Sequence, residues 1–468
     1  MIENQINTSN KFPYRSFLCY AVLALIMLIN LAQLVKNDTK SSSLEQVDNR
    51  SPIANTLVEK EFIFAIHYLA KPCVPALESL DSLLKDKVKK YWHTKTEKLS
   101  RQKNALFSAA AISIFLEFYD FAPTLNQSLP SGDSLTDLAI SLLNDPRKLL
   151  SEEEELGLAN QSFFGRLIVS KRANDKQTRL DTYRQLIDSA TATANRYTTL
   201  TTASLFMTIF GLIVAFRFVR QVFKRQLTMS YRLSILPAGI ELETFCLYLA
   251  LMMGLPSLFP LLKEYVNPSY QTLLLSNILA ISSMLILLAW PSSAAVPIGN
   301  TLSALGITIP PKNIGLSLRF ALSAYCAFLP FLFLLLTIYS VFLERVGVDM
   351  TEASHPLVNV LLAPGGQSLF FYSLFLAVVV APLVEEIMFR GFLYNWLRGF
   401  CNAFFSIIIS SLVFAILHPQ GLLGILPLFL IACLLGFLRE WKNDLWINIF
   451  AHAAVNSGTL ILVYTLLL

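Results

Sequence analysis

The segment APLVEEIMFRG (residues 381–391) places Glu385, Glu386 and Arg390 inside a long apolar run. A charge at the bilayer centre costs about 2.5–3.5 kcal/mol on insertion scales, so ionisable residues there are functional candidates. Glu386 and Arg390 share a helix face, with the glutamate first, which is the favourable order for an ion pair. Glu385 then lies about 100° around the helix without a local partner, as suits a general base or acid. A purely structural interpretation, in which all three charges pair inside the bundle, stays open.

Two histidines and an asparagine lie in later apolar runs. FAILHPQG predicts that His418 ends a helix, because Pro419 disfavours helical backbone at the preceding residue. AHAAVNSG places His452 and Asn456 four residues apart on one helix face. Each also has a structural interpretation, as a hydrogen-bonded histidine or as a polar pair that joins membrane helices. If they converge with Glu385, they supply a carboxylate, imidazoles and an amide donor, which together suit amide hydrolysis.

The elements that must position these residues are membrane helices. The chain is 54% hydrophobic and 15% charged, whereas soluble globular chains carry about 25% charged residues. A span needs about 20 apolar residues, and about nine runs qualify: 17–35, 198–216, 245–262, 272–290, 318–342, 369–394, 403–418, 422–438 and 445–468. The predicted fold is an all-α, polytopic membrane helix bundle. The six cysteines provide no CxxC pair and no disulfide framework.

The distribution of basic residues predicts the orientation. The run 17–35 favours an uncleaved signal anchor over a signal peptide, because it is long and lacks an obvious small-x-small cleavage site. With the N-terminus inside, the short outer loops hold only Lys263 and Arg345, and the remaining flanking cations fall on inner loops. The basic run 217–232 is interpreted as a cytoplasmic flank of a membrane helix. It does not favour nucleic-acid binding, since the sequence places no aromatic–basic platform beside it.

Four regions are predicted. They are an N-terminal tail and signal anchor (1–36), an extracytoplasmic helical domain (37–197), a second span with a basic cytoplasmic loop (198–235) and a membrane core (236–468). In the extracytoplasmic insertion, residues 75–99 have helical apolar spacing. Residues 105–121 contain an apolar stretch too short for a confident span, which is interpreted as a buried helix of this domain. Ser151 and Glu154 form a capping-box pattern, which predicts a helix start.

Three motifs occur in order on successive apolar segments: EExxxR at 385–390, FxxxH at 414–418 and HxxxN at 452–456. This arrangement resembles the CPBP family of intramembrane proteases, which includes the type II CAAX prenyl endopeptidases and the bacteriocin-processing and self-immunity proteins. The resemblance covers about residues 365–468. The long outer domain is not part of the usual core of that family.

The resemblance implies a role for each matching residue. Glu385 would activate the attacking water, Glu386 and Arg390 would be a supporting pair, and His418 would help to hold the water or a metal. His452 and Asn456 would stabilise the oxyanion. Family members have been described both as metalloproteases and as metal-free glutamate proteases. No cofactor is therefore certain, and Glu385, His418 and His452 are the candidate ligands of a divalent metal such as zinc.

The expected function is that of an intramembrane endopeptidase in a bacterial cytoplasmic (inner) membrane. Its expected partners are the lipid bilayer and a peptide or membrane-protein substrate, rather than nucleic acid or a prenylated CAAX protein. One alternative is a non-catalytic membrane scaffold or a bacteriocin-immunity-type binding protein. Another is a proton-coupled transporter, for which the sequence lacks the expected inverted repeats. The sequence does not define the substrate, the oligomeric state or the role of residues 37–197.

Overall fold

The structure is a computed structural model. It describes residues 59–60, 62–63, 65–66, 69, 78–100, 106–118, 134–161, 163–224, 228–257, 268–308, 311, 313–345, 371–372, 374–418 and 421–467. The predicted signal anchor at 17–35 lies outside the described residues.

The described elements are helices, and no β-strand occurs among the residues given above. The prediction of an all-α fold is therefore confirmed. The helices before the site are α1 Glu78–Ser100, α2 Leu106–Leu116, α3 Ser134–Asn144, α4 Glu152–Gln161, α5 Phe163–Arg172, α6 Lys176–Phe223, α7 Ala238–Ser257, α8 Pro268–Ser293, α9 Ile298–Ala304 and α10 Ile314–Arg345. A composite site helix (residues 376–398) follows, and then α11 Ala403–Leu417, α12 Gly421–Lys442 and α13 Leu445–Leu467.

The expectation of about nine spans is not confirmed. Four described helices are long and apolar enough to cross a membrane, or five if a pair bent by 111° counts as one span. They are Lys176–Phe223, Ile314–Leu343, Gly424–Lys442 and Leu445–Leu462, and the bent pair is Ala280–Ser293 with Ile298–Ala304. Helix α11 has 15 residues, which is shorter than a bilayer crossing requires. The protein is an integral membrane protein by its apolar helices.

The chain divides into two compact units, and the smaller is drawn mainly from Ser41–Ala203. Its core includes nearly all of α2, as the sequence predicted. Trp92 packs edge-on against Phe62 with ring centres 4.6 Å apart. The predicted capping box is confirmed, because the Ser151 amide donates to Glu154 Oε2 over 2.8 Å and the Glu154 amide donates to Ser151 Oγ over 3.3 Å.

The other unit is drawn mainly from Ser204–Leu462 and encloses the site helix. Buried aromatic rings connect three of its helices: Phe389 packs edge-on against Phe245 at 5.3 Å and against Phe414 at 4.9 Å. Helix α11 begins after Asn402, whose side-chain oxygen accepts from the Phe405 amide. This unit holds every residue proposed for chemistry.

A close helix crossing within this unit joins α6 to α10. A Cβ atom at Gly211 would overlap the backbone carbonyl oxygen of Cys326. Pro330 lies four residues after Cys326 within α10 and has no N–H with which to bond that carbonyl. The missing side chain of Gly211 therefore lets α6 pack directly against the part of α10 where Pro330 frees a carbonyl.

Candidate active site

The site helix alternates between two helical forms. A π-helical turn, Leu376–Val380, precedes the α-helical Ala381–Glu386, and a second π-helical segment, Ile387–Leu393, precedes Tyr394–Arg398. In the first turn the Ala381 amide donates to Leu376, five residues back. Single π turns inside α-helices occur frequently at functional sites, and here the two π segments flank both adjacent glutamates.

Glu386 and Arg390 form the ion pair that their spacing predicts. Arg390 Nη1 lies 2.8 Å from Glu386 Oε1, and the two side chains are 1% and 0% exposed. Arg390 Nη2 also donates to the Ala432 carbonyl of α12 over 3.1 Å, and the guanidinium lies 4.6 Å from the ring centre of Phe414. The arginine thus holds the buried carboxylate and fixes the site helix against two other helices.

His418 and His452 bring their distal nitrogens to one oxygen of Glu385. The Nε2 atoms lie 3.7 Å and 3.8 Å, respectively, from Glu385 Oε2. These separations exceed a direct hydrogen bond of about 2.7–3.2 Å and match polar groups that share a bridging water. The convergence expected from three separate motifs is therefore present for these three side chains.

The proximal nitrogens of the two rings have other partners. His418 Nδ1 lies 2.7 Å from the Phe414 carbonyl, and His452 Nδ1 lies 2.8 Å from Glu386 Oε1. A carbonyl and a carboxylate accept hydrogen bonds, which assigns the N–H of each neutral ring to Nδ1. Each Nε2 then presents a lone pair towards Glu385. Three acceptors that converge in this way suit a molecule that donates hydrogen bonds, such as water.

Asn456 makes a contact that the sequence did not predict. Its Nδ2 donates to the Ala377 carbonyl over 2.7 Å. In an α-helix the Ala381 amide would bond this carbonyl, but that amide donates to Leu376 instead. In a π-helix the donor would come from residue 382, which is Pro382 and has no N–H. The Asn456 amide supplies the hydrogen bond that neither of these backbone positions provides.

Exposure differs sharply across the site. The side chains of Glu385 and His418 are 20% and 19% exposed, whereas those of His452 and Glu386 are 6% and 0% exposed. A reactant can therefore reach Glu385 and His418, while the Glu386–Arg390 pair lies sealed behind them. The arrangement places an accessible carboxylate, Glu385, next in the chain to a fully buried one, Glu386.

Glu385, His418 and His452 are the candidate metal ligands that the sequence indicates. Within the part of the chain that the structure describes, no group of three or more His, Cys, Asp or Glu residues has an arrangement that could hold a metal ion.

A reachable carboxylate thus lies opposite two oriented imidazoles among apolar helices. Residues 367–458 match the family model described as Type II CAAX prenyl endopeptidase Rce1-like, so this C-terminal part carries an Rce1-like domain. The match confirms the predicted resemblance and its position in the chain.

One curated relative also matches. It is the Bacillus subtilis (strain 168) protein named "Putative membrane peptidase YdiL", which is 33% identical over 84 residues. The match covers 18% of this chain, and the chain spans about a third of the length of that relative. No solved structure matches this chain.

Proposed function

We propose that this protein is an intramembrane endopeptidase in which Glu385 activates a water molecule. The observation that supports this proposal most directly is the position of Glu385 Oε2, which lies 3.7 Å from Nε2 of His418 and 3.8 Å from Nε2 of His452. Both rings are oriented by partners on their other nitrogen. The Rce1-like domain supports the protease class.

The reaction begins with a water that donates hydrogen bonds to Glu385 and His418. Its oxygen attacks the carbonyl carbon of the scissile peptide bond, and one of its protons passes to Glu385. The tetrahedral intermediate carries its negative charge on the former carbonyl oxygen. When the C–N bond breaks, Glu385 gives the proton to the leaving nitrogen, and a carboxylic acid and an amine are released. Such general acid–base catalysis contributes about 10²–10⁴-fold to a rate.

His452 and Asn456 face the charge that develops during attack. When His452 carries a proton on Nε2, that nitrogen donates to the oxyanion, and Glu386 at Nδ1 stabilises the resulting imidazolium. Asn456 donates one amide hydrogen to the Ala377 carbonyl. Its second amide hydrogen can be donated to the oxyanion. Loss of one oxyanion donor typically lowers kcat about 10²–10³-fold.

Metal dependence is tested separately. The proposed hydrolysis has no step that uses a metal, so we expect cleavage to persist after prolonged dialysis against EDTA. The measurement is turnover, together with the metal content of the same sample by elemental mass spectrometry. Loss of turnover with loss of a stoichiometric metal, and recovery of both with zinc, would assign Glu385, His418 and His452 as its ligands instead.

The proposed substrate is a peptide or membrane protein that reaches the site from the bilayer. The proposed location is a bacterial cytoplasmic membrane, with the N-terminus inside. Residues 37–197 are proposed to recruit or gate the substrate. Deletion of this region should lower cleavage of the natural substrate, and unchanged cleavage would reject that role.

The deciding experiment compares the N-termini of membrane proteins in cells that express the wild type, Glu385→Gln or Arg345→Gln. The first substitution keeps the side-chain shape and removes the base. The control removes an exposed charge at the end of α10, outside the site and outside residues 37–197. New N-termini that occur with the wild type and the control, and vanish with Glu385→Gln, would establish proteolysis. Identical termini at equal protein abundance would favour the scaffold or immunity-type alternative.

A further inference from the structure

At one end of the larger unit, which is drawn mainly from Ser204–Leu462, aromatic rings and cations from three helices lie together. The end of α6, the start of α10 and the end of α12 meet around Trp441. Its ring centre lies 5.3 Å from that of Phe218, 5.9 Å from that of Phe320 and 6.0 Å from that of Phe437. We propose that this end is a binding surface for the headgroup of an anionic phospholipid.

Each helix brings a cation next to an aromatic residue of the cluster. Arg217 precedes Phe218, and Arg319 precedes Phe320. Lys442 follows Trp441, and its Nζ lies 4.1 Å from the ring centre of Trp441 and 4.1 Å from that of Phe320. The sequence alone did not reveal this surface, because each helix carries only one part of it.

A non-helical segment brings a further cation to the same end. The Ser230 amide donates to the Trp441 carbonyl, and the Tyr231 amide donates to the Glu440 carbonyl, each over 3.1 Å. These bonds hold the segment against the last turn of α12. Arg232 follows directly and is exposed. The described end of the basic run, residues 228–232, is thus attached to the aromatic cluster.

The charge balance of this surface is positive. The exposed cations here are Arg217, Arg220, Lys224, Arg232 and Arg319, and none of them forms an ion pair within the described residues. The nearby acidic side chains are already engaged. Glu440 binds Arg398 at 3.1 Å, and Asp444 accepts from Ser317 over 2.7 Å and from the Trp446 amide over 3.0 Å.

The surrounding surface identifies the ligand as a lipid. Leu212 and Phe216 on α6 are 51% and 70% exposed, and Leu318 and Leu322 on α10 are each 43% exposed. An anionic peptide or nucleic acid would match the cations but leave these apolar side chains uncovered. A phospholipid matches both, because its phosphate pairs with the cations while its acyl chains lie along the helices. Interfacial cations of this kind favour anionic lipids by about fivefold each.

The test measures lipid retention and does not depend on proteolysis. The full-length protein in detergent is mixed with equal amounts of phosphatidylglycerol and phosphatidylcholine, and the bound lipids are counted by native mass spectrometry at two salt concentrations. The variant is Arg217→Gln/Arg319→Gln. The control is Arg345→Gln, which removes an exposed cation at the opposite end of α10.

We expect the wild type and Arg345→Gln to retain phosphatidylglycerol preferentially and to lose that preference as salt rises. The double variant should lower the preference about 25-fold. If the double variant does not purify as a folded protein, the comparison of Arg319→Gln with Arg345→Gln decides. Equal retention of both lipids by the wild type, or an equal loss with Arg345→Gln, would overturn the proposal. So would a variant that keeps the wild-type preference.

Discussion

The hydrogen bond from Asn456 to the Ala377 carbonyl predicts an energetic link between Asn456 and Pro382. Asn456→Ala removes the donor and leaves a carbonyl for which the helix itself offers no amide at the usual positions. An unsatisfied polar group costs about 1–3 kcal/mol when it is fully buried, and the bond between Asn456 and Ala377 is partly buried. We therefore expect Asn456→Ala to lower the free energy of unfolding by an amount in the lower half of that range.

Pro382→Ala should relieve most of this loss. It restores an N–H five residues after Ala377, which can bond the carbonyl in a π turn. If the turn reverts to α-helix instead, the Ala381 amide can bond it. In either case the carbonyl regains a backbone donor, and Asn456 becomes dispensable for stability. The double variant should then show a coupling energy of about 1–2 kcal/mol, above the 0.3–0.5 kcal/mol expected of independent sites.

The assay is reversible unfolding of the wild type, both single variants and the double variant in a denaturing-detergent titration. Asn448 provides a matched control, because it lies on the same helix and its Nδ2 donates to the Leu435 carbonyl over 2.6 Å. Asn448→Ala should be destabilising but additive with Pro382→Ala. If Asn456 couples to Pro382 no more strongly than Asn448 does, the account of the freed carbonyl is wrong.

Three further predictions follow from packing and pairing. Arg390→Met should lower the free energy of unfolding by about 3–5 kcal/mol, since the buried Glu386 carboxylate loses its cation and keeps only the bond to His452; the same titration measures it. Gly211→Val should lower the free energy of unfolding by about 1–3 kcal/mol, because its side chain would overlap the Cys326 carbonyl. Gly315→Val has open space around it and should lower that free energy by less than half as much. Ser151→Ala should cost about 1 kcal/mol through loss of a helix cap, and unchanged stability in chemical denaturation would show that this cap contributes little.

Local rules predicted the features that depend on a few neighbouring residues. The i,i+4 spacing was sufficient for the Glu386–Arg390 pair, because both residues lie on one helix and a buried charge needs a partner. The Ser-x-x-Glu pattern was likewise sufficient for the capping box at Ser151 and Glu154. In both cases the interacting groups are set by the backbone geometry of a single helix.

Features that depend on other elements were not predictable in this way. The hydrogen bond that His452 donates to Glu386 joins residues 66 positions apart, and no local pattern indicates which carboxylate the ring prefers. The two π segments were also missed, although Pro382 is a signal that an ordinary helical hydrogen bond must fail nearby. The prediction of about nine spans is not confirmed, since four or five described helices are long and apolar enough to cross a membrane. An apolar run shows hydrophobicity but not where a helix begins, bends or ends.

The alternation of helical forms around the glutamates also affects how such chains can be compared. Each π turn holds one residue more than the α turn it replaces, so each is equivalent to a one-residue insertion within an unbroken helix. Between Glu386 and Tyr394, such an insertion changes the angular register of the following residues by about 100°. An ungapped alignment with a relative that lacks the turn would place the wrong side chains on the site face. A change in length at 387–393 can therefore rotate the helix end that follows, Tyr394–Arg398, relative to the two carboxylates. The sequence of neither part has to change for this.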